Sequence, residues 1–350
     1  MNNMRSYMAR GTARCLTCVF ALVLVLGGTG CRALALRSAA PFTVVMLPDT
    51  QVYSKSHPEL FYAQTDWVKQ ARKRENIVFV TQVGDIVNDR SKVMSQWTVA
   101  SNAMARLDGA VSWGVTIGNH DYESDLLKQG VATTWLRYFG PGRFKGCPWY
   151  GGASPNGLNS YQVFSGGGID FLILQLEVEA PDAAIAWARG VLKTHPNRAA
   201  IVATHSYLKG RDGVARNPRH SMRKDGNSGE AIWQKLIRDN PQIFLVLCGH
   251  EGRTDEYHQV STNSAGNRVV EILADYQGRA KGGDGFLRLI RFVPANRQIE
   301  VRTYSPALDQ FETDQNSQFV VPWEMPASCW GGQSTAADRP RRPSRQSAVR

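Results

Sequence analysis

Residues able to bind a metal ion or a proton follow five β-strand patterns, each where the pattern ends. They are Asp49 and Gln51 after the first, Asp85 after the second, Asn119, His120 and Asp121 after the third, and His205 and His250 after two later ones. The carboxyl ends of neighbouring parallel strands lie along one edge of an α/β sheet, where ligands bind. A glycine precedes Asp85, Asn119 and His250, which permits a sharp turn. We therefore expect these side chains to meet in one site.

The residue types in this set favour a site for divalent metal ions. A carboxylate can bridge two cations, and a mixed set of Asp, Asn and His donors suits Mn, Fe or Zn better than calcium. Two adjacent ions lower the pKa of a shared water and bind both the attacking and the leaving oxygen of an in-line displacement. An imidazole, with an unperturbed pKa of about 6.5, is suited to donate a proton to the leaving group.

The elements that must position these residues alternate between strand and helix. Short β-branched runs predict strands at Phe42–Leu47, Ile77–Val83, Val111–Ile117, Ile169–Leu176, Ala199–Thr204 and Ile243–Cys248. Apolar spacing predicts helices at Glu59–Arg74, Val93–Leu107, Ala183–Leu192 and Glu230–Arg238. After His250 the pattern predicts strands at Arg268–Ala274, Gly285–Val293 and Gln298–Thr303. This order predicts a layered α/β fold with one mixed sheet or two sheets face to face.

The motifs, in their order along the chain, resemble the calcineurin-like metallophosphoesterase superfamily over about residues 42–305. They are Asp49-x-Gln51, Gly84-Asp85-x-x-Asn88, Gly118-Asn119-His120-Asp121, His205 and Gly249-His250. The resemblance implies a sandwich of two mixed β-sheets flanked by helices, with two metal ions at the strand ends. It also implies a metal-dependent phosphoesterase that hydrolyses phosphate monoesters or diesters through a hydroxide activated by the two ions.

The resemblance further implies a metal-binding role for each ligand. Asp85 would bridge the two ions, and Asp49 would belong to the first metal site. Asn119, His205 and His250 would complete the second metal site.

Two neighbouring residues would act on the substrate. His120 would face the phosphate as an acid or charge stabiliser, and Asp121 would orient it. The substrate would be a small anionic phosphate ester.

The first metal site departs from the family pattern. The opening motif usually reads Asp-x-His but is Asp49-Thr50-Gln51 here, and the last usually reads Gly-His-x-His but is Gly249-His250-Glu251-Gly252. Both changes remove a histidine from the same ion, so we expect an oxygen-rich, weakly occupied site that includes the Gln51 amide. His258 is either a replacement ligand or a loop histidine. The Pro-Asp-Thr-Gln opening and the later Asp275-Tyr276-Gln277 resemble an exported bacterial subgroup.

Two other functions stay open at this point. A depleted first metal site is compatible with a weakly catalytic or non-catalytic relative that binds phosphate esters or glycans. A basic surface-binding protein acting through residues 327–350 is the other. Residues 1–35 and 327–350 each carry +4 of the formal net charge of +11, so the charge of the central part does not favour nucleic acid as a partner.

The two ends predict export and a disordered tail. Residues 1–35 have arginines before an apolar run and an Ala33-Leu34-Ala35 cleavage pattern, which is typical of an export signal. Cys31 lies in a sequence resembling a lipoprotein attachment box, so the protein is either periplasmic or extracellular, or anchored to a membrane through Cys31. We expect one metallophosphoesterase domain over residues 36–326 and a disordered basic tail over residues 327–350.

The segment after His205 is cationic and offers candidate substrate-binding residues. Arg211, Arg216 and Arg219 lie in it, and they either orient an anionic substrate or belong to a solvated loop. Cys147 and Cys329 are more simply free or structural cysteines, and a disulfide between them is the alternative in an oxidising compartment.

Overall fold

Two mixed β-sheets form the centre of the computed structural model, which describes residues 39–123 and 127–329. The first sheet contains β1 (Phe42–Leu47), β2 (Ile77–Gln82), β3 (Ser112–Val115), β13 (Leu287–Val293), β14 (Gln298–Ser305), β15 (Gln310–Glu312) and β16 (Gln318–Pro322). Their spatial order is β15-β14-β13-β1-β2-β3, and β16 also pairs with β14. Strands β1, β2 and β3 are parallel, whereas β13 runs antiparallel to β1.

The second sheet also has a parallel centre and antiparallel edges. It contains β4 (Tyr150–Ala153), β5 (Ser160–Gly166), β6 (Ile169–Gln175), β7 (Ala199–Ala203), β10 (Ile243–Cys248), β11 (Glu256–Thr262) and β12 (Arg268–Ala274). The spatial order is β11-β12-β10-β7-β6-β5-β4, with β6, β7, β10 and β12 parallel. A separate hairpin of β8 (Leu208–Arg211) and β9 (Val214–Arg216) follows β7.

Helices cover the outer face of each sheet. The first sheet is covered by α1 (Gln51–Ser56), α2 (Pro58–Ala71), α3 (Met94–Ala105) and α4 (Thr133–Phe139). The second is covered by α5 (Asp182–Thr194) and α6 (Gly229–Ile232), which continues as a π-helical turn over Trp233–Ile237. Short 3₁₀ turns lie at Arg90–Lys92, Asn119–Asp121, Leu127–Gln129, Pro141–Phe144, Ala280–Gly282, Pro294–Asn296 and Ala327–Cys329.

Aromatic side chains fill the space between the two sheets. Phe42 of β1 stacks on Phe292 of β13 with ring centroids 4.8 Å apart, and Phe171 of β6 packs against Phe42 at 5.4 Å. Together with the helix layers this gives four layers, helix, sheet, sheet and helix. The predicted sandwich of two mixed sheets flanked by helices is confirmed.

Only part of the two predicted terminal segments lies within the residues that the structure describes. The export signal, Cys31 and residues 330–350 lie outside them. Cys329 is buried between the sheets, so the folded part continues past the predicted boundary at residue 326. Cys147, Cys248 and Cys329 are free thiols, and the disulfide alternative is therefore not formed. Within the described ranges, none of the helices has the length and apolar character needed to span a membrane.

Candidate metal centre

Four predicted ligands of the second metal site converge where β2, β3, β7 and β10 end. One ligand atom of each of Asp85, His205 and His250 lies within 4.8 Å of the other two. His205 Nε2 is 3.3 Å from Asp85 Oδ2 and 3.2 Å from His250 Nδ1. Asn119 Oδ1 is 3.1 Å from the same nitrogen. Two imidazole nitrogens, a carboxylate and an amide oxygen therefore surround one point, a donor set that suits Mn, Fe or Zn.

The His205 ring is held in one orientation by the backbone of the loop after β2. Its Nδ1 is 3.0 Å from the Val83 carbonyl oxygen, which leaves Nε2 for a metal ion. Gly84 lies against the same ring with φ of +100°, and a Cβ there would be 2.6 Å from His205 Nδ1. Glycine is required at this position for both its backbone conformation and its size.

Asp85 joins this loop to the loop after β3. Its Oδ1 accepts a 2.7 Å hydrogen bond from the backbone N–H of His120. A Cβ at Gly118 would lie 2.2 Å from the Asp85 backbone nitrogen, so any larger residue would push the two loops apart. Each loop therefore fixes the position of the other.

Asp49 lies beside the four residues at the end of β1. It is buried, and its carboxylate accepts a hydrogen bond from the backbone N–H of His250 at 3.2–3.3 Å. Its Oδ2 is 4.0 Å from His205 Nε2. Asp49 is thus in position to serve an ion adjacent to the one that His205 and His250 would bind.

Gln51, the other predicted ligand of the first site, is buried with its amide oxygen unpaired. Its Nε2 donates to Gln277 Oε1, whereas Gln51 Oε1 has no hydrogen-bond partner among the described residues. A buried amide oxygen that accepts no hydrogen bond can instead be paired with a bound cation.

Asp275 and Gln277 also lie at this edge, although their motif predicted no role for them in the site. They follow β12, which is parallel to β10, and this was the signal that could have placed them here. Gln277 Nε2 donates to Asp275 Oδ2 at 2.9 Å. His258 is not at the site, because it lies in β11 and its ring stacks on Phe319 at 3.7 Å.

Charge and burial oppose each other in this cluster. Burial disfavours the charged form of His205, but the Asp85 and Asp49 carboxylates outweigh it and raise its pKa to about 10. Burial likewise opposes the charge of Asp85, yet His205 holds its pKa below the usual range. Burial and the neighbouring His205 lower the pKa of His250 to about 4, and burial raises that of Asp275 to about 6. Such concentrated, paired charge is typical of functional sites.

His120 borders the ligands, but Asp121 does not orient it. The His120 Nδ1 is 2.6 Å from the Asn88 carbonyl oxygen, so that carbonyl fixes the ring. The buried Asp121 carboxylate instead accepts backbone N–H bonds from Ile86 at 2.9 Å and from Gly118 at 2.8 Å. The expected Asp121–His120 pairing is therefore corrected: Asp121 holds the two loops together, and Asn88 positions the imidazole.

The three candidate substrate-binding arginines have different surroundings. Arg216 forms two 2.7 Å hydrogen bonds to Glu271, and its guanidinium lies 3.9 Å from the centre of the Trp233 ring. These contacts commit Arg216 to the packing of the second sheet, which corrects its assignment to substrate. Arg211 pairs with Glu251 at 3.3 Å, next to His250 in the chain, and Arg219 is exposed.

The comparisons with known proteins bear on the family and the fold. A family model described as calcineurin-like phosphoesterase matches residues 42–254. The uncharacterized protein YvnB of Bacillus subtilis (strain 168) is 37% identical over 281 residues, which cover 78% of this chain and 21% of that protein. The chain thus spans about a fifth of the length of this relative.

A solved structure has a similar fold. The purple acid phosphatase PPD1 of yellow lupin (Lupinus luteus) is 12% identical with a TM-score of 0.51, over 82% of this chain and 55% of that one. At this identity the likeness concerns the fold alone. The family model covers more than half of the chain, and the chain therefore belongs to the calcineurin-like phosphoesterase family.

Proposed function

We propose that this protein is a metal-dependent phosphoesterase that hydrolyses phosphate monoesters or diesters. One observation carries the proposal: Asp85, His205 and His250 present ligand atoms within 4.8 Å of one another, with Asn119 and His120 beside them. Membership of the calcineurin-like phosphoesterase family supports the same chemistry.

The donor atoms would form two metal sites of different character. Asn119, His205 and His250 would hold the second ion, Asp49 and Gln51 the first, and Asp85 would be shared. The two ions would supply positive charge to the phosphate oxygens and lower the pKa of the attacking water. The unpaired Gln51 oxygen supports a cation at the first site.

His120 would act on the substrate through the ring nitrogen that faces away from Asn88. The 2.6 Å contact between Nδ1 and the Asn88 carbonyl requires a proton on Nδ1, which sets the orientation of the ring and would leave Nε2 for the substrate. With a second proton on Nε2, the imidazole would donate that proton to the leaving-group oxygen, which departs as an alcohol, or stabilise charge on the phosphate. Asn88 and the Asp85–His120 backbone contact hold it in place.

The substrate would be small and anionic. Arg211 and Arg219 are the cationic side chains of the segment after His205 that we retain as candidates for binding it. We also propose export of the protein, with membrane contact only through a lipidated Cys31, because the first 35 residues have the pattern of an export signal.

Hydrolysis of two aryl esters tests this function. The purified full chain is assayed on p-nitrophenyl phosphate and bis(p-nitrophenyl) phosphate with added Mn²⁺ or Zn²⁺, and again after chelation. We expect metal-dependent turnover that falls about 10²–10⁴-fold in His120→Ala with bound metal retained. His57→Ala, which changes a histidine in contact with Glu59 outside the site, is the matched control. Bound metal without turnover on either ester would favour the non-catalytic phosphate-ester-binding alternative.

A further inference from the structure

A chain of hydrogen bonds links Asp275, Gln277 and Gln51 next to Asp49. Gln277 donates to the Asp275 carboxylate twice, from its backbone N–H at 3.1 Å and from Nε2 at 2.9 Å. The Gln277 amide oxygen then accepts from Gln51 Nε2. Both ends of this chain are buried, with Gln51 3% exposed and Asp275 fully enclosed.

The Asp275 carboxylate sets the donor-to-acceptor direction of these hydrogen bonds. An ionised carboxylate only accepts hydrogen bonds, so it takes the NH₂ group of Gln277 and leaves the Gln277 oxygen facing Gln51. That oxygen in turn takes the NH₂ group of Gln51. Among the polar side-chain atoms of Asp275, Gln277 and Gln51, the Gln51 oxygen is consequently the one without a hydrogen-bond partner among the described residues.

Asp275 and Gln277 occupy the space next to Gly252, which has no side chain of its own to fill it. A Cβ at Gly252 would lie 3.0 Å from Gln277 Cγ and 3.3 Å from Asp275 Oδ2. The two side chains thus lie where a longer side chain at position 252 would enter the site. Strand β12 brings them there, since it runs parallel to β10 and ends at the same edge.

We propose that Asp275 and Gln277 are positioning residues of the first metal site, which hold the Gln51 amide with its oxygen toward the ion. This inference rests on the proposed function. The first site then presents oxygen donors alone, from Asp49, Gln51 and the shared Asp85, and the Asp275 carboxylate adds negative charge. Oxygen donors favour Mn²⁺ or Mg²⁺, whereas the imidazoles of the second site favour softer ions such as Zn²⁺.

Titration of the metal-free full chain with Mn²⁺ tests the proposal directly, with the free ion followed by electron paramagnetic resonance. We expect two binding steps in the unaltered protein. Gln277→Met removes both amide hydrogen bonds at similar side-chain length, and Asp275→Asn removes the charge. In each variant we expect one step to weaken by about 10–100-fold, the usual effect of losing a residue that positions a metal ligand, while the other step is unchanged.

Two further variants separate positioning from a general structural role. Asp255→Asn alters a nearby carboxylate that pairs with Arg279, and both binding steps should stay as they are. Gln51→His combined with Gln277→Met should recover the weakened step, because an imidazole ligand needs no amide orientation. A residue needed only for folding would not be rescued in this way.

Unaltered Mn²⁺ binding in both Gln277→Met and Asp275→Asn would overturn the inference while leaving the proposed function in place. Equal weakening of both steps, in variants whose metal-free thermal unfolding matches the parent, would also overturn it. Failure of the unaltered protein to bind any metal would instead contradict the proposed function itself.

Discussion

The Asp121 carboxylate accepts a 2.9 Å hydrogen bond from the backbone N–H of Ile86 and so ties the loop after β3 to the loop after β2. It accepts a second bond from Gly118 at 2.8 Å and a third from Val87 at 3.2 Å. These bonds hold the loop that carries Asp85 against the loop that carries Asn119 and His120. The main effect of Asp121 is therefore on the arrangement of the predicted metal ligands.

Replacing Asp121 should accordingly lower stability. In Asp121→Asn an NH₂ group replaces one acceptor oxygen and leaves a buried backbone N–H unpaired, so we expect the free energy of unfolding to fall by about 1–3 kcal/mol. Urea denaturation of the metal-free parent and variant measures this difference in the free energy of unfolding. Parental stability with a shifted pH profile of hydrolysis would instead favour an Asp121 that orients His120.

Arg216 and Arg219 lie in the same cationic segment but should respond differently to substitution. Arg216→Ala leaves Glu271, whose side chain is 0% exposed, as an uncompensated buried charge. We expect it to cost about 3–5 kcal/mol of unfolding free energy, whereas Arg219→Ala should change it by no more than about 0.5 kcal/mol. Denaturant titration of both variants gives the comparison. A stable Arg216→Ala protein with a raised KM would show that Arg216 binds substrate.

Metal binding at the second site should release a proton from His205. In the metal-free protein the Asp85 and Asp49 carboxylates overcome the effect of burial and raise the pKa of His205 to about 10, so the ring is protonated near neutral pH. The pKa of His250 is lowered to about 4 by burial and by His205, so this ring is already neutral. Metal affinity should therefore increase as the pH rises toward the pKa of His205.

Calorimetric titration in two buffers of different ionisation enthalpy counts the protons released. For the ion that fills the second site we expect close to one proton released at about pH 8, because a metal-bound imidazole must be neutral. The stability that protonated His205 gives the metal-free protein has the opposite trend: it is complete below the unfolded pKa and is lost as the pH rises through the folded value. No proton release on binding would contradict this account of His205.

Gly118 should tolerate no larger residue. Its φ of −94° is ordinary, but a Cβ would lie 2.3 Å from Asp85 Oδ1, so Gly118→Ala must displace the Asp85 carboxylate. We expect metal affinity to fall by at least about tenfold, measured by competition with a chelating dye. Gly190→Ala in α5 is the control, because a Cβ there meets nothing within 4 Å and should stabilise the helix by about 0.5–1 kcal/mol.

The sequence predicted the central strands more accurately than the edges. Strands β1, β10 and β12 have the predicted bounds, because they are hydrophobic runs with nearly every residue buried. Strands β4, β8 and β15 were not predicted: they are short, only partly buried and contain Gly or charged residues. Such residues carry little periodicity, and tertiary pairing decides their conformation.

The sequence also predicted which side chains cluster at the strand ends more accurately than it predicted the contacts that support them. Strand ends put Asp85, His205 and His250 in one cluster because topology alone brings those ends together. The partner of Asp121 depends on the backbone of another loop, which no local motif encodes. Asp275 reaches the site only through Gln277, which is hydrogen-bonded to Gln51 more than 200 residues away in the sequence.

The metal content of the purified full chain, measured together with hydrolysis of p-nitrophenyl phosphate, tests the central claim most directly. We predict about two divalent ions per chain, with turnover that disappears on chelation and returns when metal is added back. His250→Ala should lower the content by about one ion and abolish turnover. A folded, pure protein that binds no divalent metal when supplied with Mn²⁺ or Zn²⁺ would contradict the account.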